Sequence, residues 1–236
     1  TQRGWLNDEP GYLPPVQIDE VVRSGGIGRV LQSKNPEYKV GELTFGLVGW
    51  QTHCLTKPEA EDRFRIIPEL LPIPTMLNVM GSTGITAYYG LIELGNPQPG
   101  ETVLVSGAAG ATGSVVVQIA KLKGCHVIGI AGGNEKCDWL KGVGADEVID
   151  YKNSDIHQEL SKVAKNGIDI YFDNVGGETL ETVLSLININ ARILLCGGIS
   201  SGYDGSPLPN GPKNLFSLII KRATMQGFLV LDYLPN

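Results

Sequence analysis

The sequence predicts an α/β fold in which six parallel strands form a doubly wound sheet, preceded by a smaller, mostly β region. Two observations carry this. From about Thr75 onward, short apolar runs alternate regularly with amphipathic segments. Before that point turn formers crowd the chain in GYLPP, SGGIG and PELLPIP, leaving room only for short β-like runs. The 236 residues, 42% of them hydrophobic, suffice for one large or two small domains. We therefore expect residues 1–75 to form the first unit and 76–236 the second.

Each element follows in order. In the first region, residues 17–22 and 28–32 read as short strands. The segment TGITAYYGLIEL reads as a helix leading into the second region. Residues 102–106 (TVLVS) form a continuous apolar run of the kind buried on both faces of a parallel sheet. The following TGSVVVQIAKLKG places Val116, Ile119, Ala120 and Lys123 at helical spacing. Strands at 126–131 and 147–151 then alternate with helices at 135–142 and 154–165, completing one half. The second half repeats the pattern, with strands at 168–172, 192–196 and 225–230 around helices at 178–187 and 215–222. Two halves of three strands with helical crossovers imply the order 3-2-1-4-5-6.

Composition excludes several function classes. The net charge is −6, and 19 Lys and Arg are scattered among 25 acids, so nucleic acid is not an expected partner. No stretch approaches the roughly 20 consecutive apolar residues of a membrane span. The opening TQRGWLNDEPGY lacks the basic-then-apolar order of a signal peptide, so a cytoplasmic location is expected. Cys54, Cys125, Cys137 and Cys196 are widely spaced and form no C-x-x-C pair, which encodes neither a disulfide framework nor a zinc ribbon. His53 and Cys54 are adjacent, but a catalytic zinc needs three converging protein ligands, and no metal is expected.

The chemistry concentrates at the carboxyl ends of the expected strands. Between the first strand and its helix stands Gly107-Ala108-Ala109-Gly110-Ala111-Thr112-Gly113, a G-x-x-G-x-x-G turn. Glycines let the backbone approach a pyrophosphate closely, and the N–H groups opening the helix meet its charge, as in Rossmann-type nucleotide-binding domains. At the end of the second strand, where an NAD site usually places an acid, the chain reads Ala131-Gly132-Gly133-Asn134. Lacking a carboxylate there, and with Lys136 two residues on, the pocket around Gly133 favours a 2′-phosphate and hence NADP(H) over NAD(H). Tyr151 ends the third strand and can close over the same phosphate. Asp173-Asn174-Val175-Gly176-Gly177 and Cys196-Gly197-Gly198-Ile199-Ser200-Ser201 end the fourth and fifth strands, offering small residues and backbone groups for a ribose and nicotinamide.

Taken together, SGAAGATGSVVVQIAKLKGCHVIGIAGGNEK, IDIYFDNVGG, ARILLCGGISSGY and MQGFLV resemble the medium-chain dehydrogenase/reductase superfamily. Within it they resemble the zinc-independent branch of prostaglandin reductases, leukotriene B4 12-hydroxydehydrogenases, plant double-bond reductases and bacterial curcumin reductases. RGWLNDEPGYLPPVQIDEV and GWQTHC resemble parts of that family's GroES-like catalytic lobe. The resemblance implies NADP contacts at Gly110, Ala111, Thr112, Gly113, Lys136, Tyr151, Asn174, the run from Cys196 to Ser201, and Phe228, Leu229 and Val230, with Met80 and Thr86 against the nicotinamide. Some double-bond reductases carry a tyrosine immediately before a basic pair; that position here is Ile220, so Tyr203 is the candidate catalytic hydroxyl. Asn7, Tyr12 and Trp50 are expected to line the substrate pocket. The implied reaction is hydride addition from NADPH to the double bond of a small conjugated aldehyde or ketone. Quinone reduction and non-catalytic NADPH binding are the alternatives. Relatives continue beyond both ends, which implies either part of a longer enzyme or a shortened variant. The last strand, as an apolar edge, implies a homodimer.

Overall fold

A computed structural model describes residues 5–6, 13–57, 64–200 and 211–233. Asn7, Tyr12, Ser201 and Tyr203 lie outside them. The chain divides into two compact units, Thr1–Met80 and Gly81–Asn236.

In the first unit, β1 (Gly25–Arg29), β2 (Leu43–Leu47) and β3 (Arg65–Ile67) form an antiparallel sheet in that order, followed by the short helix α1 (Ile73–Leu77). Residues 17–22 are not a strand. Glu20 N–H donates to the Gln17 carbonyl at 3.1 Å and Asp19 takes φ 69°, closing a turn. Ile18 and Val21 there are exposed, so the apolar pattern had no face to bury. The expected strand at 28–32 begins instead at Gly25, and the chain leaves the sheet after Arg29. The SGGIG glycines, read as a turn, pair with β2 because Gly26 lies against Val48, where a Cβ would sit 2.4 Å from Cγ2.

The second unit opens with α2 (Ser82–Tyr88), continued by a π-helical turn, Tyr89–Gly95. It then alternates β4 (Thr102–Val105), α3 (Ala111–Leu122), β5 (His126–Ala131), α4 (Asn134–Gly142), β6 (Glu147–Asp150) and α5 (Ile156–Val163). The second half runs β7 (Ile168–Asp173), α6 (Gly177–Leu184), β8 (Ile187–Leu195), α7 (Phe216–Lys221) and β9 (Thr224–Gly227). The sheet order is β6-β5-β4-β7-β8-β9, all neighbours parallel, which is the predicted 3-2-1-4-5-6.

The sheet is buried on both sides, and that is why its strands are nearly continuous in apolar residues. Val103, Val105, Ile170 and Phe172 join one core with Ala87, Val116 and Leu140, whereas Leu104, Ile128, Tyr171 and Ile193 join the other with Leu160, Leu180 and Val183. Two boundaries differ from expectation. Helix α6 stops at Leu184 and β8 begins at Ile187, because Asn188 Nδ2 bonds the Asn166 carbonyl and Asp169 Oδ1 and anchors a polar stretch in the strand. Strand β9 ends at Gly227, and Phe228 turns its ring onto Phe172 with centroids 6.0 Å apart. The sheet edge therefore presents Thr224, Gln226 and Gly227 as its exposed residues and not the apolar run first expected.

Candidate functional site

A parallel sheet whose chain reverses direction of winding leaves a crevice at the reversal, and here it lies between β4 and β7. The turn leaving β4 is held shut by sterics. Gly107 adopts φ 56°, and Gly110 N–H donates to the Gly107 carbonyl at 2.9 Å. A Cβ on Gly113 would lie 2.4 Å from that carbonyl oxygen and 2.9 Å from Ala108 Cα, so only glycine lets α3 start this close to the strand. Ala108 N–H, donating to the Ile130 carbonyl at 3.0 Å, ties the turn to β5.

Helix α3 begins with Gly110 as N-cap and no side-chain capping bond. The N–H groups of Ala111, Thr112 and Gly113 precede the first intrahelical donor, Ser114 N–H on the Gly110 carbonyl at 2.9 Å, and point out of the helix at its positive end. This glycine cradle under an uncapped twelve-residue helix fits the pyrophosphate of a dinucleotide.

At the end of β5, Gly133 takes φ 94° and its N–H donates to Asp150 Oδ1 at 2.9 Å. The Tyr151 ring lies directly over Gly132, where a Cβ would come within 2.8 Å of it. Lys136, on the first turn of α4, is exposed and makes no ion pair with any described residue. These three residues stand on adjoining elements, and the lysine is unspent. Sequence reasoning missed Asp150. The stretch 131–134 carries no acid, but Asp150 reaches it from β6, with Lys152 N–H and Asn153 Nδ2 also donating to the carboxylate. The Gly133 amide, and after it the Lys152 amide and Asn153, hold this carboxyl below the usual carboxylate range.

The ends of β4, β7 and β8 meet at a buried polar cluster. Asp173, fully buried, accepts on Oδ1 from Ser106 Oγ (2.9 Å), Tyr171 OH (2.7 Å), Val175 N–H (2.9 Å) and Gly176 N–H (2.9 Å). Its carbonyl accepts from the N–H groups of Cys196 and Gly197 at 2.9 and 3.1 Å. Asn174 donates from Nδ2 to the Ser106 carbonyl at 2.7 Å and from its amide to Ser106 Oγ at 2.9 Å, buttressing the glycine turn. The run from Cys196 to Ser200 lies alongside, with Ile199 N–H on the Asn174 carbonyl and Ser200 N–H on the Val175 carbonyl. Gly198 is half-buried within it. Burial, and after it the Asp173 charge, pushes the Cys196 thiol up to about 12.

Other expected contact residues have neighbours of their own. Thr86 Oγ1 is committed to the Ser82 carbonyl of its own helix at 2.6 Å. The Phe228 ring packs in the core against Phe172 and Gly90, while Leu229 and Val230 lead into a short 3₁₀ turn. Met80 and Trp50, both exposed, belong to the first unit. Among the described residues no cluster of three or more His, Cys, Asp or Glu could hold a metal ion, and no helix is long and apolar enough to cross a membrane.

Comparison with known proteins bears on this arrangement. A family described as zinc-binding dehydrogenase matches residues 111–235, and one described as the N-terminal domain of oxidoreductase matches residues 1–63. The chain belongs to the medium-chain dehydrogenase/reductase family. Within this family, it is 41% identical to the NADPH-dependent curcumin reductase of Escherichia coli (strain K12) over 237 residues, covering 98% of this chain and 68% of that protein. It is 42% identical to the NADP(+)-dependent 2-alkenal reductase of Nicotiana tabacum over 227 residues, covering 95% and 65%. The crystal structure of CurA from Vibrio vulnificus in complex with NADPH matches with TM-score 0.89 and 45% identity, covering 98% of this chain and 69% of that one. The zinc in the family description needs three converging ligands; the described residues of this dehydrogenase/reductase do not supply them.

Proposed function

We propose that this dehydrogenase/reductase binds NADP(H) and uses it to reduce the carbon–carbon double bond of small α,β-unsaturated aldehydes or ketones. The observation that carries the reading is the glycine cradle opening onto uncapped amides of α3, with Lys136 and Tyr151 standing beside the β5 end. Its relatives named for curcumin and 2-alkenal reduction support the substrate class.

When bound, the cofactor supplies hydride. Each remaining task falls to the chain itself. The amides of Ala111, Thr112 and Gly113 hold the pyrophosphate, and Lys136 neutralises the adenosine 2′-phosphate with Tyr151 closing over it. Asn174 and the residues from Cys196 to Ser200 border the ribose and nicotinamide; Thr86 and Phe228 to Val230 complete that wall. Tyr203 is the proposed hydroxyl that orients the carbonyl, holds charge developing on its oxygen and assists protonation of the product. The site requires no Lewis acid for such conjugate addition, because charge delocalises onto an oxygen that hydroxyl donors can meet. We further propose a cytoplasmic homodimer, supported by the unpaired β9 edge and by Phe216, Ile219 and Ile220 exposed on the neighbouring α7. Sedimentation of the purified protein tests that state.

The function is tested by mixing protein and NADPH with a panel of enones, alkenals and quinones while following the cofactor's near-ultraviolet absorbance. Oxidation with enones or alkenals is expected. Turnover with quinones alone would replace this reading with quinone reduction, and tight NADPH binding without any turnover would replace it with a binding role.

A further inference from the structure

Asp173 is the most deeply buried acid in the described second unit, and its bonding is lopsided. Oδ1 accepts from Ser106, Tyr171, Val175 and Gly176, whereas Oδ2 is buried without a hydrogen-bond partner among the described residues. No described cation pairs with it: the ion pairs among the described residues all involve other acids. Four neutral donors thus converge on one oxygen of the carboxyl group and none of the described groups reaches the other. An unpaired charge held inside low-dielectric protein acts over a longer range than one in water.

Its position gives that charge a target. Asp173 ends β7 at the crevice beside β4, and Ser106 joins it to the glycine turn. Ligands of open parallel sheets sit outside these carboxyl ends. A nicotinamide ring carries a positive charge when oxidised and none when reduced, so a fixed anion at this edge discriminates between the two. Burial, and after it Asp173, pushes up the thiol of Cys196, one strand away.

We propose that Asp173 is a positioning residue of the cofactor site whose buried charge makes the protein hold the oxidised nicotinamide more tightly than the reduced one, favouring loss of hydride. This rests on the NADP(H)-binding reading above. The same residue also fixes the amides of Val175 and Gly176, a role that would affect both cofactor forms alike.

The test separates charge from scaffold. Dissociation constants of NADP+ and NADPH are measured by fluorescence titration for the wild-type chain and for Asp173→Asn, which keeps the shape and the Oδ1 acceptor but removes the charge. The ratio Kd(NADP+)/Kd(NADPH) is expected to rise about tenfold, equivalent to about 1.4 kcal/mol. Equal weakening of both forms, or no change, would show a purely structural residue and overturn the inference while leaving cofactor binding intact. Failure of the wild-type chain to bind either form would instead overturn the functional reading, and this inference with it. If Asp173→Asn does not fold, Tyr171→Phe takes its place, since it keeps the core volume and removes one donor that offsets the carboxylate. Its ratio is expected to fall severalfold, and an unchanged or higher ratio overturns the proposal.

Discussion

Replacing Gly113 with alanine adds one methyl group where the backbone has no room for it. The new Cβ would stand 2.4 Å from the Gly107 carbonyl oxygen, 2.9 Å from Ala108 Cα and 3.1 Å from the Ala108 carbonyl oxygen. All three are backbone atoms of the cofactor turn, so relief requires α3 to back away from β4 and not a rotamer change. Overpacking of this kind costs about 1–3 kcal/mol, against which alanine in place of glycine in a helix returns at most about 1 kcal/mol. With the full return, the net loss is about 0–2 kcal/mol, which lowers Tm by up to roughly 8 °C for a chain of this size. NADPH affinity should fall at least tenfold, because the displaced amides are those facing the pyrophosphate. Gly142→Ala is the control: its Cβ meets nothing within 4 Å and its backbone is not left-handed, so stability should be unchanged or up to about 1 kcal/mol higher. Thermal melts with and without NADPH, with titration of both variants, provide the readout. Wild-type Tm and affinity in Gly113→Ala would refute the claim that sterics shape this turn.

Three further outcomes are expected. Lys136→Ala should weaken NADPH about three- to tenfold, roughly 0.7–1.4 kcal/mol, and leave NADH unchanged; equal effects on both by calorimetry would remove Lys136 from the phosphate site. Asp150 has its folded pKa depressed, so its contribution is complete above the ordinary carboxylate value of about 4 and disappears as pH falls through the lower folded value. Amide exchange at Gly133 should accordingly lose protection in Asp150→Ala at neutral pH and in the wild type only on strong acidification, and persistent protection in the variant would contradict the assignment. Cys196, with its thiol pushed up to about 12, should resist iodoacetamide at pH 8 while exposed Cys54 is alkylated; mass spectrometry showing both modified at similar rates would rule out the half-buried, anion-shadowed environment.

The parts of this molecule legible in its sequence are those where one local constraint decides the residue. TVLV, HVIGIA and IDIYF announce parallel strands because both faces are covered, and Gly113 announces the turn because a neighbouring carbonyl excludes any side chain. Polar side chains carry no such signature. Ser106 and Asp173 stand 67 residues apart, and Gly133 and Asp150 stand 17 apart, so only strand pairing reveals that each acid serves another segment's backbone. The first unit was less legible for a related reason: with Ile18 and Val21 exposed, an apolar alternation marks nothing buried. Where β4 and β7 separate, the amides of Val175 and Gly176 have left the ladder, and unsatisfied N–H groups in a buried place cost about 1–3 kcal/mol each. Asp173 removes that cost with a single oxygen, but the solution installs a negative charge beside the crevice. A neutral acceptor could close the same turns, so the choice of a carboxylate at this edge is the feature that packing alone does not demand and that cofactor electrostatics does.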